Sequence, residues 1–374
     1  MAGIYLHIPF CRQACHYCNF HFSTSLNLKD DFLKGILAEI ELRHRYLGGK
    51  PVNTIYFGGG TPSLLEQNEL DSILDKVHKH YQVSTNAEIT FEANPDDITS
   101  EKLAGWKTAG INRLSMGVQS FYEEDLQWMN RAHNAGQALD SIKMVQDQGF
   151  SNLTIDLIYG SPGLTDEKWR HNVNKAIDLG IPHLSCYALT VEPKTALANM
   201  ISKKKSDPVQ TEDQARQFLL LMDWLQAEGY EHYEISNFAK PGMHSRHNSA
   251  YWSGEAYLGF GPSAHSYNGL TRQWNIANNP VYIQSLLAGN LPFEIEQLSE
   301  RDRHNEYIMI SLRKREGILK SVYSELFGEN HYLALSRSIK KHINRGSITE
   351  NDSSYSLTKE GKLFADGISA DLFI

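Results

Sequence analysis

The stretch "CRQACHYCNF" (residues 11–20) decides what kind of site, and with it what kind of fold, this chain forms. It contains Cys11, Cys15 and Cys18, which are three of the four cysteines in 374 residues, in the spacing C-x3-C-x2-C. Clustered thiols in a chain with few cysteines indicate metal or redox chemistry rather than disulfides. The spacing therefore raises the question of which inorganic group three neighbouring thiolates would hold.

Two inorganic groups fit three thiolates on one short loop. Each thiolate can ligate one iron of a [4Fe–4S] cluster, and the fourth iron is then left without a protein ligand. Such an open metal position could be filled by S-adenosylmethionine (SAM), through its amino and carboxylate groups. Zinc is the alternative, because Cys3His sites exist and His16 or His21 could supply the fourth ligand. The spacing favours iron–sulfur over zinc.

The composition is that of an ordinary globular protein, with 41% hydrophobic and 21% charged residues. A net charge of −8 gives the chain no general attraction to nucleic acid or to anionic lipid. No apolar run approaches the roughly 20 residues of a membrane span, and the first residues lack the features of a secretion signal. We therefore expect a cytoplasmic protein with no transmembrane segment and no nucleic-acid partner.

Beyond the cysteine loop, short apolar runs alternate with amphipathic segments from residue 4 to about 235. The pattern predicts six strands, at Ile4–Ile8, Val52–Phe57, Ala87–Ala93, Arg113–Val118, Leu153–Tyr159 and His183–Leu189. Helices are predicted between them, the first over Leu28–Leu47. Repeated βα units of this kind form a parallel sheet with crossover connections.

The positions of polar residues distinguish a barrel from an open sheet. The cysteine loop follows the first strand, "GGGTP" (residues 58–62) follows the second, and Glu92 and Gln119 lie at the ends of the next two. Barrels assemble their sites at the carboxyl ends of several strands, whereas open sheets concentrate them at one switch point. We therefore predict an α/β fold in which residues 1–235 form an incomplete parallel (β/α)6 TIM-like barrel.

The rest of the chain divides into two further parts. Residues 236–297 show no clear periodicity across most of their length and are predicted to be an irregular connecting region. Residues 298–374 are predicted to form a small winged-helix-like domain, with helices over Ile318–Leu326 and Tyr332–Arg345 and a hairpin in "SITENDSSYSLT". In this tail the basic residues exceed the acidic ones by only one, which argues against a zinc-stabilised nucleic-acid-binding module.

Several polar residues near the predicted strand ends could contact a cofactor. Gln119 and Arg131 suit hydrogen bonds to a ribose or a carboxylate. Glu92 could hold an ammonium group or a ribose hydroxyl, or could be a solvated strand end. Asp156 lies in an otherwise apolar strand, where burial would be costly without a partner, and a salt bridge within the barrel is the alternative.

Seven sequence stretches from residue 4 to 193 resemble the radical SAM proteins, and more narrowly the oxygen-independent coproporphyrinogen III oxidase-like (HemN-like) family. The stretches are "YLHIPFCRQACHYCNF", "YFGGGTPS", "FEANPDD", "RLSMGVQSF", "NRAHN", "DLIYGSPG" and "YALTVEP". The resemblance implies that Cys11, Cys15 and Cys18 ligate a [4Fe–4S] cluster. It also implies contacts to SAM from Tyr5, Tyr17, Gly59, Gly60, Thr61, Glu92, Gln119, Arg131, Asp156 and Ala188.

Two departures separate the chain from the true oxidases of that family. Phe20 stands where the oxidases have a further cysteine, and the first predicted strand begins at residue 4, without the extension that contributes to their substrate site. Both departures count against decarboxylation of coproporphyrinogen III to protoporphyrinogen IX, which stays open as the alternative function.

The stretch "RHNSAYW" (residues 246–252) is similar to the H-N-x-x-Y-W signature of the HemW-type haem chaperone branch of the family. The resemblance implies a protein that binds haem and transfers it to acceptor proteins such as respiratory enzymes. His247 is then the leading iron ligand, with Tyr251 and Trp252 as walls against the porphyrin, because imidazoles ligate haem iron and aromatic rings pack on it. The alternative is a packed, hydrogen-bonded loop without haem.

Overall fold

A 12-stranded sheet organises the computed structural model, which describes all residues 1–374. Its centre consists of six parallel strands in chain order, β1 (Ala2–Ile8), β2 (Val52–Gly59), β3 (Val83–Ala93), β4 (Arg113–Gln119), β5 (Leu153–Tyr159) and β6 (His183–Ala188). The helices in this part of the chain are α1 (Lys29–Leu42), α2 (Gln67–His80), α3 (Ser100–Thr108), α4 (Glu123–Trp128), α5 (Ala135–Asp147), α6 (Asp166–Asp178), α7 (Ala196–Ser202) and α8 (Thr211–Ala227). The six predicted strands are confirmed.

The parallel strands place apolar residues outside the barrel and polar residues inside it. In β1, Ile4, Leu6 and Ile8 are fully buried in the core between the sheet and its helices. The alternating residue Tyr5 faces the interior, where its ring stacks on Tyr56 of β2 with 6.0 Å between ring centroids. Because successive side chains of a strand point to opposite faces, the inner face can carry a polar site without interrupting the outer core.

Short strands extend the sheet at both edges. After β6 come the antiparallel strands β7 (Glu231–Glu234) and β8 (Asn237–Ala239), with β8 paired to β6. On the other side α9 (Arg246–Trp252) leads into β9 (Ala256–Phe260), β10 (His265–Tyr267), β11 (Thr271–Asn275), α10 (Asn279–Leu287) and β12 (Phe293–Gln297), with β9 parallel to β1. The strand order begins at β12 and ends at β7, so the barrel stays open. The predicted incomplete barrel is confirmed.

The irregularity predicted for residues 236–297 is wrong, because this region contains strands and helices that complete the sheet. Its strands are only 3–5 residues long and its helix α9 has seven residues. Periodicity needs a longer window to become visible, so elements of this length escape a sequence pattern. The boundaries at residues 235 and 297 stay a prediction.

The tail forms a separate small core around a three-stranded sheet in the order β13-β15-β14. Its elements are α11 (Glu300–Leu312), β13 (Ile318–Leu319), α12 (Lys320–Phe327), α13 (Glu329–Ser338), α14 (Lys340–Asn344), β14 (Ile348–Glu350), β15 (Ser354–Leu357) and α15 (Ala365–Asp371). The predicted helix over Ile318–Leu326 therefore begins as a strand, and the one over Tyr332–Arg345 is two helices. None of the helices in the chain is both long enough and apolar enough to cross a bilayer.

The first helix is shorter than predicted, since α1 ends at Leu42 rather than at Leu47. Residues 43–49 form turns, and the last two of them, Gly48 and Gly49, have positive φ. Such a backbone conformation is readily adopted by glycine and ends a helix. Leu47 is buried although it lies in these turns, so the helical spacing of apolar residues extends beyond the end of the helix.

Candidate cofactor site

A cavity of about 420 Å³ opens at the carboxyl ends of the six parallel strands. Its wall includes Cys11, Cys15 and Cys18, the glycine-rich turn after β2, and residues from the ends of β3 to β6. Barrel folds assemble their functional sites at this end. The volume suits a single small ligand of about nucleotide size.

Nine of the ten residues that the sequence assigns to SAM line this cavity, namely Tyr17, Gly59, Gly60, Thr61, Glu92, Gln119, Arg131, Asp156 and Ala188. Tyr5 is not part of the cavity wall, and its hydroxyl lies 3.3 Å from Nδ1 of His7. The structure thus brings together residues from positions 17 to 188. Their contact with SAM stays a prediction.

The cysteine loop is fastened to the glycine-rich turn by backbone hydrogen bonds. Gly60 N–H donates to the carbonyl of Ile8 at 2.9 Å, and Thr61 N–H donates to the carbonyl of Phe10 at 2.7 Å. A Cβ atom on Gly60 would lie 2.6 Å from the Phe10 carbonyl oxygen, closer than van der Waals contact allows. The turn requires glycine there because the chain that carries the cysteines passes directly against it.

Two opposing effects act on the cysteine thiols. Hydrogen-bond donors favour the thiolate form, and burial disfavours it. The Thr61 hydroxyl donates to Cys11 Sγ at 3.4 Å, and Arg131 donates to Cys15 Sγ at 3.2 Å. Burial raises the pKa of the Cys11 thiol to about 11 and also raises the pKa of Cys18, and neighbouring thiols add to both effects. Because iron stabilises a coordinating thiolate, an iron–sulfur cluster fits this environment.

The two histidines that could complete a zinc site are engaged elsewhere. Nδ1 of His16 lies 2.7 Å from the carbonyl oxygen of Trp128, and Nε2 of His21 lies 2.6 Å from Oδ1 of Asn279. Neither histidine is part of the cavity wall. A Cys3His zinc centre would need one of these rings to turn toward the thiols, so the residues present fit a three-cysteine cluster better than zinc.

Arg131 joins the cysteine loop to the strand ends and keeps one donor free. Its guanidinium donates to Asn94 Oδ1 and to the Gly117 carbonyl, both at 2.7 Å, in addition to Cys15. Its Nε is buried and has no hydrogen-bond partner in the protein. Buried donors are normally satisfied, so an Nε–H without a partner is an unusual feature of this site.

Two carboxyl groups face the cavity from β3 and β5. The Tyr56 hydroxyl donates to Glu92 Oε1 at 2.7 Å. Burial raises the pKa of Glu92 to about 7, with the nearby Asp156 adding to the rise, and burial also raises the pKa of Asp156 to about 7. A cationic ligand group would favour the ionised forms of both. Glu92 is therefore not the solvated strand end that the sequence left open.

Gln119 enters the cavity from a strained backbone conformation that the sequence did not reveal. Its φ is 69°, in the left-handed region that residues other than glycine rarely adopt. It ends β4, where the pairing register with β5 shifts. Strain of this kind is often found at functional sites, because the surrounding structure holds a side chain in one required direction.

The three residues assigned to haem lie apart from the cavity. His247 is 2% exposed, and its Nδ1 lies 2.8 Å from Thr54 Oγ1 while its Nε2 lies 3.1 Å from the Tyr251 hydroxyl. Trp252 packs against Arg313 of the tail, whose guanidinium carbon lies 5.6 Å from the ring centroid. Both imidazole nitrogens are thus engaged within the protein. Haem contact by His247, Tyr251 and Trp252 stays a prediction.

Residues 5–176 match the Radical SAM superfamily model, and residues 298–364 match the HemN C-terminal domain. A heme chaperone HemW of Bacillus subtilis (strain 168) is 35% identical over 371 residues, which cover 98% of each chain. The chain belongs to the heme chaperone HemW family. A HemW of Escherichia coli (strain K12) is 31% identical and covers 100% of this chain and 98% of its own.

A solved structure of the coproporphyrinogen III oxidase HemN of Escherichia coli, described as a radical SAM enzyme, shares the fold. It matches with a TM-score of 0.86 at 23% identity, over 100% of this chain and 90% of that chain. The resemblance that the seven stretches predicted is therefore confirmed at the level of family and fold. The membership in the HemW family agrees with the H-N-x-x-Y-W stretch rather than with the oxidase alternative.

Proposed function

We propose that this protein is a haem chaperone that carries a [4Fe–4S] cluster, binds SAM and haem, and transfers haem to acceptor proteins such as respiratory enzymes. The observation that carries the proposal is similarity to HemW chaperones over 98% of the chain, combined with three cysteines around one cavity. We place the protein in the cytoplasm, because four cysteines that form no disulfide suit a reducing compartment.

In this proposal Cys11, Cys15 and Cys18 hold the cluster. When bound, the cluster would supply electron transfer and one iron open to SAM. The donors on Thr61 and Arg131 stabilise negative charge on the sulfurs of Cys11 and Cys15. These contacts come from the glycine-rich turn and from the segment after α4, so they also orient the cysteine loop over the cavity.

The carboxyl groups of Glu92 and Asp156 line the same cavity as the cysteines. Ionised, they attract a cationic ligand, and SAM carries a sulfonium and an ammonium group. The guanidinium of Arg131, which also lines the cavity, carries a positive charge suited to a carboxylate of the ligand. The arrangement therefore supports recognition of a zwitterionic nucleoside without assigning any group that abstracts a proton or attacks a bond.

The cavity rim offers an apolar surface that suits a porphyrin. Phe20 lines the cavity with 67% of its surface exposed, and Phe22 lines it beside Phe20. An exposed aromatic residue next to a site is typical of a surface that a ligand covers. We propose that haem packs near this rim, as the cargo of the chaperone.

Haem titration of the anaerobically reconstituted protein tests the proposal. We expect the Soret absorbance to saturate at one haem per chain, and the bound haem to pass to an added apo-acceptor such as a haem-free b-type cytochrome. A wild-type protein that binds no haem would contradict the proposal. Catalytic conversion of coproporphyrinogen III to protoporphyrinogen IX, with SAM and a low-potential reductant, would instead support the oxidase alternative.

A further inference from the structure

Helix α9, which carries the H-N-x-x-Y-W stretch, closes the amino-terminal end of the barrel. The backbone N–H of His247 donates to Glu88 Oε1 at 3.1 Å, and Arg246 donates to the carbonyl of Asn86 at 2.7 Å, so the helix is tied to β3. The His247 ring is bonded to Thr54 of β2 and to Tyr251. The helix therefore lies against the barrel and inserts His247 into its interior.

The ring of His247 continues a stack of aromatic rings that leads toward the cofactor cavity. It stacks on Tyr56 with 5.0 Å between centroids, and on Tyr5 with 6.4 Å. The Tyr56 hydroxyl in turn donates to Glu92 at 2.7 Å, and Glu92 lines the cavity. Two direct contacts thus connect His247 with a carboxylate that faces the ligand.

A second, smaller cavity of about 50 Å³ lies between α9 and the two carboxylates. Its wall includes Ser245 and Asn248 on the side of α9 and Glu92 and Asp156 on the other side. Thr90 Oγ1 and His183 Nδ1, which belong to residues of this wall, are buried without a partner. A polar cavity of this size has room for ordered water that would satisfy them, which adds a solvent-mediated contact between α9 and Asp156.

We propose that α9 is a positioning element of the SAM site, in which His247 fixes the Tyr56 ring and Tyr56 fixes the Glu92 carboxylate toward the positive charge of SAM. The inference rests on the proposed function insofar as SAM is the ligand of the main cavity. It gives the H-N-x-x-Y-W stretch a role that requires no contact with haem. Both ring nitrogens of His247 lie within hydrogen-bond distance of Thr54 and Tyr251, and the ring is not part of the wall of the main cavity.

The physical basis is the cost of a misplaced buried carboxylate. Glu92 can turn among its rotamers unless the Tyr56 hydroxyl selects one, and Tyr56 can shift unless a ring packs on its face. A hydrogen bond to an ionised group is worth more than a neutral one, so losing the Tyr56 hydroxyl weakens ligand pairing by about tenfold. Loss of the His247 ring lets Tyr56 shift, so it weakens the pairing of Glu92 with SAM to a similar extent.

The test measures the dissociation constant of SAM by anaerobic equilibrium dialysis on full-length protein with the cluster in place. We expect Tyr56→Phe and His247→Gln each to weaken SAM binding by about tenfold. The double variant should bind SAM no more than about tenfold more weakly than wild type, because both changes remove one shared contact chain. Such non-additivity is a result that general destabilisation of the barrel does not produce.

Ser249→Ala serves as the matched control, because Ser249 lies on the same helix but its hydroxyl takes no part in the hydrogen bonds of His247 and Tyr56. We expect it to leave SAM affinity unchanged. Iron content and thermal midpoint are measured for every variant. If His247→Gln fails to fold, Thr54→Val replaces it, since it removes only the hydroxyl that lies 2.8 Å from Nδ1 of His247.

Four outcomes would overturn the inference. Wild-type SAM affinity in both Tyr56→Phe and His247→Gln would refute the inference and leave the proposed function intact. The same holds if the fold-changes in the SAM dissociation constant of the two single variants multiply in the double variant. Loss of haem binding in His247→Gln with unchanged SAM affinity would assign His247 to haem instead. A wild-type protein with an intact cluster that binds no SAM would refute the SAM assignment of the proposed function, and the inference with it.

Discussion

At Gly60 the turn after β2 passes directly against the chain that leads into the cysteine loop. A Cβ there would lie 2.6 Å from the Phe10 carbonyl oxygen and 2.7 Å from that of Ile8. Both neighbours are backbone atoms, so neither can move aside as a flexible side chain would. The sequence predicts a glycine-rich turn at this place, but the reason for this particular glycine depends on a chain segment about fifty residues away.

We expect Gly60→Ala to destabilise the protein by about 1–3 kcal/mol, because overpacking against backbone forces the two segments apart. The same displacement moves Cys11, so the iron content after anaerobic reconstitution should fall well below that of wild type. Urea unfolding and iron analysis measure the two effects.

Gly367→Ala is the matched control for this substitution, since a Cβ added at Gly367 in α15 would meet no other part of the protein within 4 Å. Alanine is the better helix former, so we expect this change to stabilise by about 0.5–1 kcal/mol and to leave iron content unchanged. Equal iron content in Gly60→Ala and wild type would show that the close approach at Gly60 is dispensable.

At the scale of elements, helix α1 holds the extension of the sheet through one buried carboxylate. Glu39 is fully buried and accepts hydrogen bonds from Tyr282 Oη at 2.6 Å, from Asn275 Nδ2 at 2.7 Å and from the Gly261 N–H at 2.9 Å. It also pairs with Arg43 at 3.2 Å. These partners lie on or next to β9, β11 and α10, the region that the sequence predicted to be irregular.

We expect Glu39→Ala to cost about 3–5 kcal/mol, because it leaves the Arg43 charge buried without its partner. Glu41→Ala is the matched control, since Glu41 lies on the same helix and pairs with Lys76 at the exposed surface. Exposed pairs contribute little, so that variant should unfold close to the wild-type urea midpoint. Equal midpoints for both variants would contradict the role given to Glu39.

The elements also show which parts of the fold a sequence pattern can predict. The six parallel strands were predictable because each has an alternating or continuous apolar run of about six residues, such as Leu153–Tyr159. The strands β8 to β11 were not, because they are short and because their stability comes from distant partners such as Glu39. The H-N-x-x-Y-W stretch was found as a motif, but the burial of His247 depends on Thr54 and Tyr56, which lie about 190 residues earlier.

At the scale of the whole molecule, the tail packs against the side of the barrel that carries β7 and α9. The backbone N–H of Arg315 donates to the Tyr233 carbonyl at 3.1 Å, and Lys362 Nζ lies 2.8 Å from His232 Nδ1. Trp252 of α9 packs against Arg313 of the same tail. Helix α9 therefore contacts the tail with one end and the barrel interior with the other.

The residues of the cofactor site were largely predictable from the sequence, whereas the hydrogen bonds among them were not. Spacing and family resemblance pointed to Cys11, Cys15 and Cys18 and to ten residues for SAM. The three cysteines and nine of those ten residues line the cavity. Tyr56 and Asn94 were missed, although the inward position of Tyr56 in β2 follows from strand alternation. The free Nε of Arg131 required the structure, because it depends on which of several donors is already used.

In the proposed function Cys11, Cys15 and Cys18 hold a cluster at the mouth of the barrel, with one iron open to SAM. This arrangement is tested by electron paramagnetic resonance of the anaerobically reconstituted and reduced protein, recorded before and after addition of SAM. We predict the signal of a reduced [4Fe–4S] cluster whose g values change when SAM is added, and no signal of this kind in Cys15→Ala. A spectrum that lacks the cluster signal would refute the cluster, and one that SAM leaves unchanged would refute an iron open to SAM.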